Sequence, residues 1–246
     1  MRQHKAKGSE RRGQLKMGRH SHTIRQAFYT SIPVMAGYIV LGTGFGILMR
    51  NAGYGVLWAA SMSLFIFVGS MQYVGVSLIT GGASMLATAF TTFMVNARHL
   101  FYSISMVDKY KDAGKYKPYM IFALTDETYS LLCDGKAPEG TDPDLYRFLV
   151  SLFNHSYWVT GSVIGSLLGA VLPFSTVGIE FSMTALFVAS FTEQWLTTKE
   201  HLPALTGLIG TALCLIVFGR ERFLIPAMIL ITLVLTLLRR REEERV

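Results

Sequence analysis

The sequence predicts an all-α, polytopic membrane protein with about seven or eight membrane segments, built as two internal repeats with broken or re-entrant helices. Three observations predict it. The mean hydropathy is +0.38 and only 16% of the 246 residues are charged, too apolar a balance for a soluble domain of this size. The apolar residues come in blocks near the length of a membrane-spanning helix. Polar interruptions recur at corresponding places in the two halves.

The N-terminal stretch is basic. Residues 1–27 carry Arg2, Lys5, Lys7, Arg11, Arg12, Lys16, Arg19 and Arg25 against Glu10, which accounts for the whole net charge of +7. A basic tail before a hydrophobic helix is explained by positive-inside topology more economically than by nucleic acid, so no nucleic-acid partner is expected. The tail is read as disordered and cytoplasmic, touching anionic headgroups at most. His4, His20 and His22 are read as solvated, and no metal or cofactor is expected. Cys133 and Cys214 are read as packing residues, not a disulfide framework.

A transporter domain is expected over 28–238, with repeats over about 28–107 and 147–238, a linking helix over 118–133, and a charged tail over 239–246. The first segment, Phe28 to Met49, contains Pro33, Gly37, Gly42, Gly44 and Gly46; small residues let helices approach closely in lipid. The Gly42–Gly46 run lacks the strand and the Lys-Ser/Thr of a phosphate loop. The second segment, Val56 to Ile79, carries Gly69-Ser70-Met71-Gln72-Tyr73, read either as interhelical hydrogen bonding or as a helix break that binds a solute.

The third segment holds Asn96-Ala97-Arg98-His99-Leu100-Phe101-Tyr102. Between Phe28 and Val107 only Arg50 and Arg98 are formally charged, and Arg98 lies between apolar runs. Arginine at membrane depth costs a few kcal/mol, about 2.5–3.5 on insertion scales, and usually faces a protein interior or wet cavity. Asn96–His99 is therefore either a loop at the membrane surface or a helix break presenting polar groups. The lysine-rich stretch 109–117 follows, then a short fourth segment with Thr125-Asp126-Glu127-Thr128-Tyr129, whose adjacent carboxylates need pairing, protonation or water. The acidic stretch 134–146 reads as a surface loop on the face opposite the lysines.

At an offset of 120, Phe28 matches Phe148, Ser31 matches Ser151, and Phe67-Val68-Gly69-Ser70 matches Phe187-Val188-Ala189-Ser190, with Gln72 falling near Glu193-Gln194. In the favoured arrangement, residues 83–107 form a re-entrant hairpin and the repeats are inverted.

With Gly69-Ser70-Met71-Gln72, Asn96-Ala97-Arg98-His99 and Thr125-Asp126-Glu127 in this order, the chain resembles the AzlC family of branched-chain amino-acid permeases over roughly residues 20–240. The resemblance implies the large subunit of an exporter in the bacterial inner membrane. It would work with a small AzlD-type membrane subunit and move leucine, isoleucine, valine and, in some members, methionine or analogues. The basic N-terminal extension falls outside the family pattern.

A zwitterionic substrate asks for cationic or N–H donors at its carboxylate and for carboxylates or carbonyls at its ammonium. Arg98 answers the first, and Asp126, Glu127 and Glu193 the second. Ser70, Gln72, Asn96, His99, Tyr102 and Gln194 complete the expected substrate-binding set. No nucleotide-binding loop occurs, so proton coupling is the expected energy source, with Asp126, Glu127, Glu193 or His99 titrating. No catalytic residues are expected. A channel, or an intramembrane enzyme acting on a lipid phosphate, is the alternative.

Overall fold

The computed structural model describes the backbone of residues 2–133, 136–171, 201–219 and 223–243, with single or paired residues between 181 and 196. Within that backbone, side chains are described from Arg19 onward, except at 224–225 and 239–243. Every regular element among the described residues is helical: α1 (Arg2–Asn51), α2 (Val56–Phe65), α3 (Gly69–Thr80), α4 (Met85–Asn96), α5 (Arg98–Met106), α6 (Lys117–Phe122), α7 (Asp126–Leu132), α8 (Pro143–Val171), α9 (Leu202–Phe218) and α10 (Leu224–Glu243). A 3-10 turn, Gly114–Tyr116, precedes α6. The chain divides into two units, residues 1–83 with 99–180, and residues 84–98 with 181–246.

The first unit is organised by α1 and α8, which run parallel. Small residues make the contact. A Cβ on Gly42 would lie 2.8 Å from the Trp158 carbonyl oxygen, and one on Gly161 would lie 2.8 Å from the Ile39 carbonyl oxygen. Gly46 meets the Ser162 carbonyl, Gly165 meets Thr43, and Gly169 meets Arg50. The contact thus advances four residues at a time along both helices, the repeat of one helical face. Ser31 and Ser151 are fully buried, and Ser31 Oγ is 3.0 Å from Tyr157 Oη. Because α1 and α8 run the same way, segments 120 residues apart are parallel here, not inverted as the sequence arrangement expects.

Two helical hairpins enter this pair from opposite ends. Along α2, Ser63 meets Ser162 and then Phe67 meets His155, so the chain moves toward the start of α8. Residues 66–68 break the helix. Along α3, Gly69 lies under Trp158 and Tyr73 reaches Leu41 and Phe45, so the chain turns back. The second hairpin comes from the other end. Tyr116 packs on Phe148, Tyr119 reaches His155, residues 123–125 break the helix, and Leu132 returns to a cluster with Ala27, Tyr146 and Val150. The expected linking helix over 118–133 is therefore two short helices around a turn. Thr125 is extended there and caps α7, its hydroxyl accepting the Thr128 N–H at 3.3 Å.

Which segments are re-entrant also differs from expectation. Residues 56–80 and 118–133 return to the end they entered. The first unit breaks off after α3 at Ala83 and resumes at His99, and Met106 joins Ala27 and Tyr146 at the end from which the second hairpin enters. The lysine-rich and acidic loops consequently share one end. Lys109 Nζ donates to the Cys133 carbonyl, Tyr110 and Ala113 pack in the Ala27–Tyr146 cluster, and Arg19 donates to the Thr141 carbonyl at 2.8 Å. Opposite faces for these loops follow only if 118–133 is a crossing, and it is a hairpin instead. The basic stretch before Phe28 is helical from Arg2, and Thr23, fully buried, accepts the Asp142 N–H at 3.1 Å.

In the second unit, Ser84 caps α4 by accepting the Ala87 N–H at 3.2 Å. α9 ends at Gly219 (φ +73°), and a Cβ on its Gly210 would lie 3.0 Å from Ile231 of α10. Trp195 stacks on His201 with centroids 4.2 Å apart, beside an apolar groove of about 750 Å³ lined by Phe191, Pro203 and Leu208 among others.

Among the described residues, one helix, Arg19–Asn51 within α1, is long and apolar enough to cross a membrane; Val56–Phe65, Met85–Asn96, Leu202–Phe218 and Pro226–Leu238 are shorter apolar helices. The distribution of side chains is inverted relative to a soluble protein. Leu57 (79%), Met85 (90%) and Ile216 (80%) are exposed, whereas Gln72 and Asn154 are fully buried. An apolar exterior around a hydrogen-bonded polar interior suits lipid as solvent.

Candidate functional site

The two hairpin tips, 66–68 and 123–125, converge on Tyr38 of α1 and on His155 and Trp158 of α8. The rings of Tyr38 and Phe67 are 6.1 Å apart and those of Tyr38 and Trp158 are 5.4 Å apart, both edge-to-face. Tyr38 donates its hydroxyl to Glu127 Oε2 at 2.6 Å and shares a 2.7 Å hydrogen bond with Thr125 Oγ1. Thr125 Oγ1 is 3.1 Å from Thr128 Oγ1, which accepts from Asn154 Nδ2 at 3.0 Å. Three hydroxyls thus connect the Glu127 carboxylate to a buried amide. Asn154 Oδ1 is buried at the far end of this chain.

The Gly69–Gln72 motif acquires a physical meaning here. Residues three apart share a helix face. Gly69 leaves room for the indole of Trp158, whose Cη2 would be 2.7 Å from a Cβ there, and Gln72 Oε1 accepts the Trp158 Nε1–H. Gln72 Nε2 donates to Ser63 Oγ at 3.3 Å, and Ser63 Oγ donates to Ser162 Oγ at 2.7 Å. Gln72 therefore pins both arms of the first hairpin to α8. Of the two sequence readings of this stretch, the hydrogen-bonding one describes Gln72, and the helix break falls just before Gly69.

The expected residues distribute as follows. Asp126 and Glu127 open α7 at the second tip, half-buried. His99 and Tyr102 reach the same helix by rings: His99 lies 5.8 Å from Tyr102, which stacks on Tyr129 at 4.8 Å. Ser70 lies in the first turn of α3, beside the first tip. Asn96 and Arg98 belong to the second unit, flanking Ala97 where the helix changes from α4 to α5. Glu193 and Gln194 lie outside the described residues. Reading the sequence missed Tyr38, Asn154, His155 and Trp158. The first two are ordinary in an apolar helix, and the only signal was the clustering of Asn154, His155 and Trp158 on one face of α8 at spacings of three and four.

Glu127 and Asp126 place two half-buried carboxylates at the second tip, beside the Tyr38 hydroxyl, and carboxylates so placed are suited to a cationic group. Among the described residues no cluster of His, Cys, Asp and Glu suits a metal ion.

Comparison with known proteins supplies the family. The sequence pattern of the AzlC protein family matches residues 33–172, which span both hairpins and the α1–α8 pair. The chain is 44% identical to the branched-chain amino acid transport protein AzlC of Bacillus subtilis over 220 residues, 89% of this chain and 87% of that one. It is 42% identical over 223 residues to an uncharacterized membrane protein of Haemophilus influenzae, covering 89% and 91% of the two chains. It is 26% identical over 217 residues to the inner membrane protein YgaZ of Escherichia coli, covering 85% and 86%. No solved structure matches. With its motifs in order and this likeness along nearly its whole length, the chain belongs to the AzlC protein family.

Proposed function

We propose that this chain is the large subunit of a secondary transporter exporting leucine, isoleucine and valine from the bacterial cytoplasm, driven by the proton gradient. It would sit in the inner membrane with its basic end cytoplasmic and work with a small AzlD-type subunit. The observation that carries the reading is the meeting of two re-entrant hairpins on Tyr38, whose hydroxyl ties the partly buried carboxylate of Glu127 to a polar chain between the helices. Broken helices meeting at mid-depth are how many carriers bind small solutes in lipid. The likeness to a branched-chain amino acid transport protein supports the substrate class.

In this reading Glu127, with Asp126 beside it, receives the substrate ammonium. Arg98 serves the substrate carboxylate and enters on its charge alone, with Asn96 as a further hydrogen-bonding group. Ser70, His99 and Tyr102 shape the site. Glu193 and Gln194 retain their proposed roles on sequence grounds. An apolar pocket separates side chains differing by one methylene by only about 1–3 kcal/mol, so a range of branched substrates is expected.

The test is counterflow of radiolabelled leucine in proteoliposomes, with and without the small subunit. Saturable counterflow that Glu127→Ala and Arg98→Ala each remove is expected. Folded wild-type protein without counterflow in either preparation would overturn the reading.

A further inference from the structure

We propose that His155 is a positioning residue that clamps the two hairpin tips together, so that they move as one. A helix that stops leaves its last carbonyls without partners. In a continuous helix the Ser63 carbonyl would accept the N–H of Phe67, but Phe67 lies in the break. His155 Nε2 supplies the missing donor at 3.1 Å. A carbonyl can only accept, so Nε2 carries the hydrogen, and in the neutral ring Nδ1 is left as an acceptor. That nitrogen lies 2.8 Å from Tyr119 Oη, whose hydroxyl donates to it. Tyr119 stands on α6, the helix that runs into the other break.

The imidazole faces repeat this bridge. Phe67, inside the first break, lies over the ring with centroids 4.3 Å apart, and Phe122, the last residue of α6, lies at 5.7 Å. One buried side chain thus holds by hydrogen bond and by ring contact the helix that ends at each tip. Its α8 neighbours reinforce both attachments: Asn154 holds Thr128 beyond the second break, and Trp158 holds Gln72 beyond the first. Displacing either tip stretches a bond to the same ring, so a solute that moves the Glu127 tip also pulls on the tip of the first hairpin. The clamp is a property of the fold; only its consequence for transport rests on the transporter reading.

The experiment is amide hydrogen exchange on the full-length chain in lipid nanodiscs, comparing wild type with His155→Phe and with Tyr119→Phe, alongside leucine counterflow for each. His155→Phe keeps a ring and removes both hydrogen bonds. Tyr119→Phe removes one and disturbs packing least. Exchange is expected to rise at both tips, residues 66–70 and 123–128, in each variant, with the α1–α8 contact unchanged. Counterflow is expected to lose about tenfold in maximal rate with KM within about twofold, the pattern of a residue that acts through others. If His155→Phe does not fold, Tyr119→Phe decides on the same readout. Exchange rising at one tip alone, or at neither, overturns the clamp. Exchange rising at both tips while wild-type protein shows no counterflow leaves the clamp standing and overturns the transporter reading.

Discussion

Trp158 lays its indole against Gly69 and gives its Nε1–H to Gln72 one helical turn further on. One side chain therefore accounts for both Gly69 and Gln72 in the Gly69-Ser70-Met71-Gln72 stretch. The glycine is required by space and the glutamine by an indole N–H that has no water to turn to.

The first prediction follows from that pair. Gln72→Leu leaves the indole N–H and Ser63 short of a partner in a fully buried place, and a buried donor left unmade costs about 1–3 kcal/mol. Gly69→Ala forces the indole aside and should cost a similar amount, about 1–3 kcal/mol. Thermal unfolding in detergent checks both. The double variant Gln72→Leu/Trp158→Phe should be less destabilised than the sum of its parts, because it removes donor and acceptor together.

The second concerns the α1–α8 seam. Gly46→Val and Gly165→Val each put a side chain into the backbone of the facing helix, and no rotamer relieves that. Both should fail to accumulate as folded protein. Gly37→Ala, on the same α1 but with open space at its Cβ, should fold and gain slightly in helix stability, by up to about 1 kcal/mol. Expression with size-exclusion profiles separates the cases, and equal behaviour of Gly37→Ala and Gly46→Val would refute the seam.

How much of this was legible in the sequence depends on what each feature rests on. The helical class, the apolar exterior and the small-residue contact of α1 are local patterns, and composition carries them. Tyr38 and Trp158, and Gly42 and Ser162, stand 120 residues apart and touch because α1 and α8 run parallel, a packing that composition does not reveal. The path of the chain was not legible. A ten-residue half-helix followed by a twelve-residue one has the same hydropathy as one crossing, so 56–80 read as a span. Thr125, which caps α7 and so turns the second hairpin, was visible only as part of a polar motif. His155 was invisible because its importance comes from Ser63 and Tyr119, 92 and 36 residues away.

The third prediction separates Tyr38 from Glu127. Tyr38→Phe keeps the ring contacts with Phe67 and Trp158 and removes only the hydroxyl between Glu127 and Thr125. A hydrogen bond to a charged group contributes about 1.5–3 kcal/mol. If Tyr38 holds Glu127 in place for the substrate ammonium, the variant should raise the KM for leucine about tenfold or more, the equivalent of 1.4 kcal/mol, with maximal rate less affected. Unchanged KM in folded protein would remove Tyr38 from the site.

The fourth tests how transport is driven. Glu127→Gln keeps the size of the side chain and can still accept the Tyr38 hydroxyl, but it carries no charge and cannot exchange a proton. If Glu127 is the coupling carboxylate, uphill leucine export driven by a proton gradient should be lost, whereas leucine–leucine counterflow, which needs no net proton movement, should persist. If Glu127 serves the substrate ammonium alone, both should fall together, because the same interaction is needed in either mode. Measuring the two fluxes in one proteoliposome preparation decides the matter. Retention of uphill export in Glu127→Gln would move the coupling role to Asp126, Glu193 or His99.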